Sequence, residues 1–191
     1  MKNHQKQPIK HHQTMFQQFN RTTRQFPPLL RSIQLRHFTQ YAKNPQIHIH
    51  ENPPHHYNFS LSKNPNALII GNSQSTDPKP DNFTINKEFV DLLHKTFENK
   101  IYDDFTFIME AGTNANSFMP IYDFRDIPKY SRQPYIGNVF GYLQVDGNAK
   151  IIPGSWQRND MYELCNGKDG LCHFSEYMYE TLQQECENAK S

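Results

Sequence analysis

The stretch from Val139 to Ile152 (VFGYLQVDGNAKII) constrains the fold more than any other part of the chain. Val139, Gly141, Leu143 and Val145 alternate with Phe140, Tyr142 and Gln144, the period-two pattern of a strand with two unlike faces. Asp146-Gly147-Asn148 follows, and an Asp-Gly pair tolerates the positive φ angles of a tight turn. An antiparallel hairpin is expected here, so at least part of the protein is built from antiparallel sheet.

Other segments fill in around it. Ile85, Phe89, Leu92, Leu93 and Phe97 recur at helical spacing, which predicts a helix capped at Thr84 and running through Lys100. Ser175 is expected to cap a last helix with Met178, Leu182, Cys186 and Ala189 on one side, and Phe174 placed to staple Tyr179. A short strand is expected at Ala67–Ile70, stopped by Gly71, with residues 71–82 as a loop of turn formers. The β-branched and aromatic run Phe105–Glu110 (FTFIME) reads as a strand, paired in a loose hairpin with Ser117–Phe124. Residues 39–65, rich in His, Asn and Pro, read as extended or irregular. The expected class is α+β, an antiparallel hairpin-built sheet packed against about two helices.

Charge divides the chain. Of its 191 residues, the first 38 hold seven of the 20 Lys and Arg and none of the 19 acids, the first acid being Glu51. The remaining 153 residues carry 13 cations against 19 acids, a net charge of −6. Arg-rich, acid-free segments that are amphipathic when helical are the composition of a mitochondrial presequence. From Met15 to Phe26, projection at about 100° per residue gathers Met15, Phe16, Phe19 and Phe26 on one side with Arg21 and Arg24 opposite, and Pro27-Pro28 ends the helix. Arg36-His37-Phe38-Thr39 resembles the two-step processing site of imported matrix proteins, so Arg36, Phe38 and Thr39 are the expected processing residues, with Thr39 as the mature N-terminus. Residues 1–38 are thus expected to be the presequence and 39–191 a single α+β domain in the matrix. Translation from Met15 would give an equally good presequence, and the alternative is a retained basic, His-rich tail. An acidic domain is a poor match for nucleic acid, whose phosphates need clustered Lys and Arg. No apolar run approaches the roughly 18 to 20 residues that span a bilayer.

Few residues suggest chemistry. Asp123, Arg125 and Arg132 lie in an aromatic-rich stretch, and Trp156-Gln157-Arg158 sets the sole Trp beside two polar side chains. Together they could orient an anionic or planar ligand. The alternatives are exposed ion pairs that settle a loop and a partly buried core Trp. His48 and His50 would share one strand face, with His55 and His56 just beyond a Pro-Pro turn. Three or four imidazoles could meet around a metal, although His-richness here also fits a polar surface. Cys165, Cys172 and His173 bracket a Gly-rich turn without the two-residue spacing of a redox dithiol, and buried thiols are expected. No phosphate-binding loop, dinucleotide fingerprint or nucleophile elbow occurs, and no cofactor is implied.

Between Ile121 and Leu182 the chain resembles a family of small uncharacterised fungal proteins, through Phe140-Gly141, Val145-Asp146-Gly147, Gln157, Tyr162, Asp169-Gly170-Leu171 and Ser175. A basic residue often follows the tyrosine in that family, whereas this chain has Glu163. The resemblance implies a folded domain and no particular activity. The leading expectation is a non-catalytic accessory or assembly factor that binds another protein. The competing one is a small enzyme or ligand-binding protein using the 122–132 loop and Trp156–Arg158.

Overall fold

A computed structural model of the chain describes Met1 and residues 38–189 apart from Pro53, Tyr130 and Ser131. The helix expected at Met15–Phe26 and the Arg36 of the processing site lie outside the described residues. Phe38 and Thr39 belong to the first strand.

The segment expected to be irregular instead forms three strands, β1 (Phe38–Gln40), β2 (His48–Asn52) and β3 (His56–Ser60). Ile49 in β2 and Phe59 in β3 are buried, as are Ile47 just before β2 and Leu61 just after β3. Burial on both faces, with His48 and His50 opposite these apolar residues, repays strand formation despite the low intrinsic preference of Asn and His. Pro54 and His55 make the connecting turn, with His55 left-handed at φ 54°. Two further strands, β4 (Gly71–Ser73) and β5 (Phe83–Ile85), complete an antiparallel meander in the order β1-β2-β3-β4-β5. Gly71, expected to stop a strand, begins one. A β-carbon at this position would collide with the Thr84 carbonyl and the Phe83 ring, so glycine lets β5 approach β4. Ala67–Ile70 stays irregular, with the Leu68 amide donating to the Cys186 carbonyl at 2.9 Å.

Helix α1 (Lys87–Lys100) starts two residues later than expected, because Asn86 rather than Thr84 accepts the Glu88 amide. It buries Phe89, Leu93 and Phe97. The run read as a strand is helix α2 (Phe105–Glu110). Asp104 caps it by accepting the Thr106 amide at 2.9 Å, and this cap outweighs the β preference of the six residues. The hairpin expected between 105–110 and 117–124 therefore does not form. β6 (Phe118–Tyr122) pairs instead with β7 (Val139–Gln144), which also pairs with β8 (Gln157–Arg158), giving a three-stranded antiparallel sheet. The turn after β7 is closed by the Asp146 carboxylate, which accepts the Asn148 and Lys150 amides at 2.8 Å each. Its left-handed residue is Ala149, at φ 61°, and not Gly147. A two-stranded ribbon, β9 (Cys165–Asn166) with β10 (Gly170–Leu171), leads to helix α3 (Glu176–Asn188). Ser175 caps α3 at the Met178 amide, as expected.

The architecture is α+β, with antiparallel sheets and, among the described residues, three α-helices rather than two. An aromatic column holds the second sheet to its helices. Phe140 of β7 lies 4.6 Å from the Phe97 ring, 4.6 Å from Tyr162 and 5.4 Å from Phe174, centroid to centroid. Phe174 thus packs into the core. No helix among the described residues is long and apolar enough to cross a membrane.

Candidate functional site

Asp123 follows β6 and its side chain is fully buried, with Arg125 beside it at 3% exposure. This pair is therefore not a surface ion pair. Arg125 Nη2 stands 3.0 Å from Asp123 Oδ2. The same oxygen accepts the Tyr162 hydroxyl at 2.7 Å, while Oδ1 accepts the backbone amides of Arg125 at 2.9 Å and His173 at 3.0 Å. Arg125 spends its other hydrogens on main-chain carbonyls, Nη1 on Gly170 at 2.7 Å and Nη2 on Glu163 at 2.6 Å, leaving only the buried Nε without a partner. One ion pair thus ties the end of β6 to Tyr162, to the β9–β10 ribbon and to the approach to α3.

The electrostatics of this knot favour fixed charges. Burial raises the Asp123 carboxyl above the ordinary aspartate range, opposed by Arg125 and by the hydrogen bonds it accepts. Four donors point at its oxygens and no acceptor receives a carboxyl proton, so the ionised form is the one this geometry holds. Burial and the Asp123 charge push the Tyr162 hydroxyl and the Cys172 thiol far up. Burial also raises the thiols of Cys165 to about 11 and Cys186 to about 12. All three cysteines are buried and free, so none presents the accessible thiolate of a nucleophile.

The other expected ligand-binding residues do not join the knot. Arg132 is exposed, and its backbone amide donates to the Lys129 carbonyl at 2.9 Å. Trp156 is half-buried, stacks on Phe97 at 5.5 Å and lies so close over Gly141 that a β-carbon there would sit 2.5 Å from its ring. Gln157 is exposed on β8, and Arg158 Nε pairs with Asp160 at 3.0 Å. Among the described residues, no hydrogen bond or ion pair links Arg132, Gln157 or Arg158 to Asp123 or Arg125. Shallow open concavities flank His173 and Phe124, one of them about 370 Å³ with Lys43 and Lys168 at its rim. No hydrogen bond among the described residues joins a Ser, Thr or Cys side chain to a histidine.

The histidines are divided as well. His48 and His50 lie buried on one face of β2, beneath the Phe38 ring, whose centroid is 5.2 Å from that of His48. His50 Nε2 stands 2.9 Å from the Ser62 carbonyl oxygen, as a donor does. His55 and His56 are exposed at the hairpin turn. Among the described residues, no three His, Cys, Asp or Glu side chains stand close enough to share a metal ion.

The feature that sequence reasoning missed is α2. Phe105, Ile108 and Met109 are 72%, 43% and 62% exposed, while Phe107 alone is buried, in edge contact with Tyr122 at 5.5 Å. The three exposed residues follow the i, i+3, i+4 spacing of one helix face. That spacing was available in the sequence, as was Asp104 in the N-cap position ahead of it. Large apolar side chains grouped at a surface mark an interaction site far more often than scattered ones do.

Comparison with known proteins gives no match to the chain among family models, curated proteins or solved structures. Four residues singled out in the sequence have packing roles in this fold. Phe140 centres the aromatic column, Gly141 makes room for Trp156, Tyr162 donates to Asp123, and Gly170 is left-handed at φ 82° where a side chain would strike Tyr41.

Proposed function

We propose that this protein is a non-catalytic accessory or assembly factor of the mitochondrial matrix, and that it works by docking another protein on the exposed face of α2. The observation that carries the reading is the grouping of Phe105, Ile108 and Met109 at the surface of a helix whose one buried side chain is Phe107. Flexible Met and planar Phe side chains are the usual anchors of such contacts. The competing ligand-site reading lacks equivalent support, because Asp123 and Arg125 are committed within the fold. The matrix address rests on the basic, acid-free segment before Phe38.

Two measurements test this. N-terminal sequencing of the native protein should begin at Thr39, and an intact Met1 or a cytosolic location overturns the address. Affinity purification of the tagged chain should recover a stable partner that a Phe105→Ser/Met109→Ser variant loses. If that folded variant keeps every partner, α2 is not the docking face.

A further inference from the structure

The chemistry around α2 says what kind of partner fits it. Between Ile101 and Phe124 the sequence contains no Lys or Arg, and it contains four acids, Asp103, Asp104, Glu110 and Asp123. Asp104 and Asp123 are buried and spent on capping and on Arg125. Asp103 and Glu110 remain at the two ends of the helix. Glu176 joins them from the start of α3, which is tied to α2 by the hydrogen bond from the Ser175 hydroxyl to Asp104. None of these three carboxylates forms an ion pair with a Lys, Arg or His among the described residues. The nearest following cation, Arg125, is already neutralised by Asp123. The apolar face is thus framed by uncompensated negative charge.

Resting on the docking reading above, we infer that the occupant is a basic amphipathic segment of a partner protein, with apolar residues for the Phe105–Ile108–Met109 face and Lys or Arg for its rim. An interface that covered Asp103, Glu110 and Glu176 with neutral or acidic groups would strip water from carboxylates without replacing it, which costs free energy. Flanking cations supply the missing counter-charge and steer the encounter. The same field disfavours nucleic acid and anionic lipid, whose phosphates meet no cation here. At 1.5 Å rise per residue, six residues of α2 span about 9 Å, matched by about two turns of a partner helix.

The test uses the full chain and three synthetic amphipathic helices with the same leucine face, whose polar faces are lysine, glutamine or glutamate. The lysine peptide should bind tightest and shift the amide resonances of α2. Raising salt from about 0.05 to about 0.5 M should weaken it roughly tenfold, since screening then acts within a few ångströms. Asp103→Asn/Glu110→Gln should weaken it several-fold, and Phe105→Ser/Met109→Ser should remove the shifts. Equal binding of the glutamine or glutamate peptide on α2 overturns the basic partner and leaves the docking face standing. Lysine-peptide binding that ignores Phe105→Ser/Met109→Ser lies elsewhere and overturns the proposal, and failure of all three peptides to perturb α2 overturns both. The native partner supplies a second readout. If its capture is lost with Phe105→Ser/Met109→Ser but is indifferent to salt and to Asp103→Asn/Glu110→Gln, the partner is not basic.

Discussion

The Asp123–Arg125 knot and the α2 face invert the usual arrangement of a small domain. One places a full ion pair where water does not reach, and the other places Phe105 and Met109 where it does. The inversion separates two kinds of constraint. The buried pair is held by Tyr162, by two backbone amides and by main-chain carbonyls, so its charges serve the chain's own connections. The exposed apolar residues Phe105, Ile108 and Met109 lie largely outside the core, where covering them would bury apolar surface.

The largest expected effect attacks the knot. Arg125→Met leaves Asp123 buried without a counter-charge and should cost about 3–5 kcal/mol of stability, read as a shift in the urea midpoint. Adding Asp123→Asn should recover part of that loss, because the stranded charge is then gone. A double variant as unstable as the sum of two independent single losses would show that the pair does not act as a unit.

A buried group without a counter-charge behaves differently, and pH exposes the contrast. His94 is buried beside Trp156, with its Nδ1 unpartnered, and burial together with the positive Arg158 lowers its pKa to about 4. An unfolded chain takes up a proton on this residue near pH 6.5, whereas the folded one does so only near pH 4. In that window the unfolded state binds more protons, so stability rises with pH and is lost as pH falls from about 6.5 to about 4. His94→Gln should flatten this part of the stability–pH curve, and an unchanged slope sinks the assignment to His94.

The smallest expected effect lies on the other side of the comparison. Phe105→Ser/Met109→Ser should change the unfolding free energy by no more than about 0.5 kcal/mol per site, because side chains already in water lose little on truncation. A loss of several kcal/mol, measured in the same denaturation experiment, would make α2 a structural element and remove the reason for a docking role.

What was legible in the sequence was what neighbours decide. The strand at Val139–Gln144 and the Ser175 cap act over a few residues and form where read, although Phe140 on the other face of that strand is buried as well. Phe105–Glu110 was misread because its residue types favour strands while its conformation is set by the Asp104 cap and by where Phe107 finds a core. Asp123 and Arg125 stood out as residue types, but their burial did not. Their partners come from Tyr162, Gly170 and His173, about 40 to 50 positions along the chain, at separations that no local pattern encodes. The His-rich segment misled by composition, since Ile47, Ile49, Phe59 and Leu61 are buried there and His48 and His50 are buried with them.

Asp104 gives the proposed docking face a mechanical consequence. One of its oxygens caps α2 at Thr106 and the other receives the Ser175 hydroxyl, which in turn caps α3 at Met178. Fraying of the short helix thus releases a bond that also anchors the C-terminal one, so α2 opens as part of a larger cooperative unit rather than alone. Slow amide exchange in the first turn of α3 then becomes a remote gauge of whether the face of α2 is occupied.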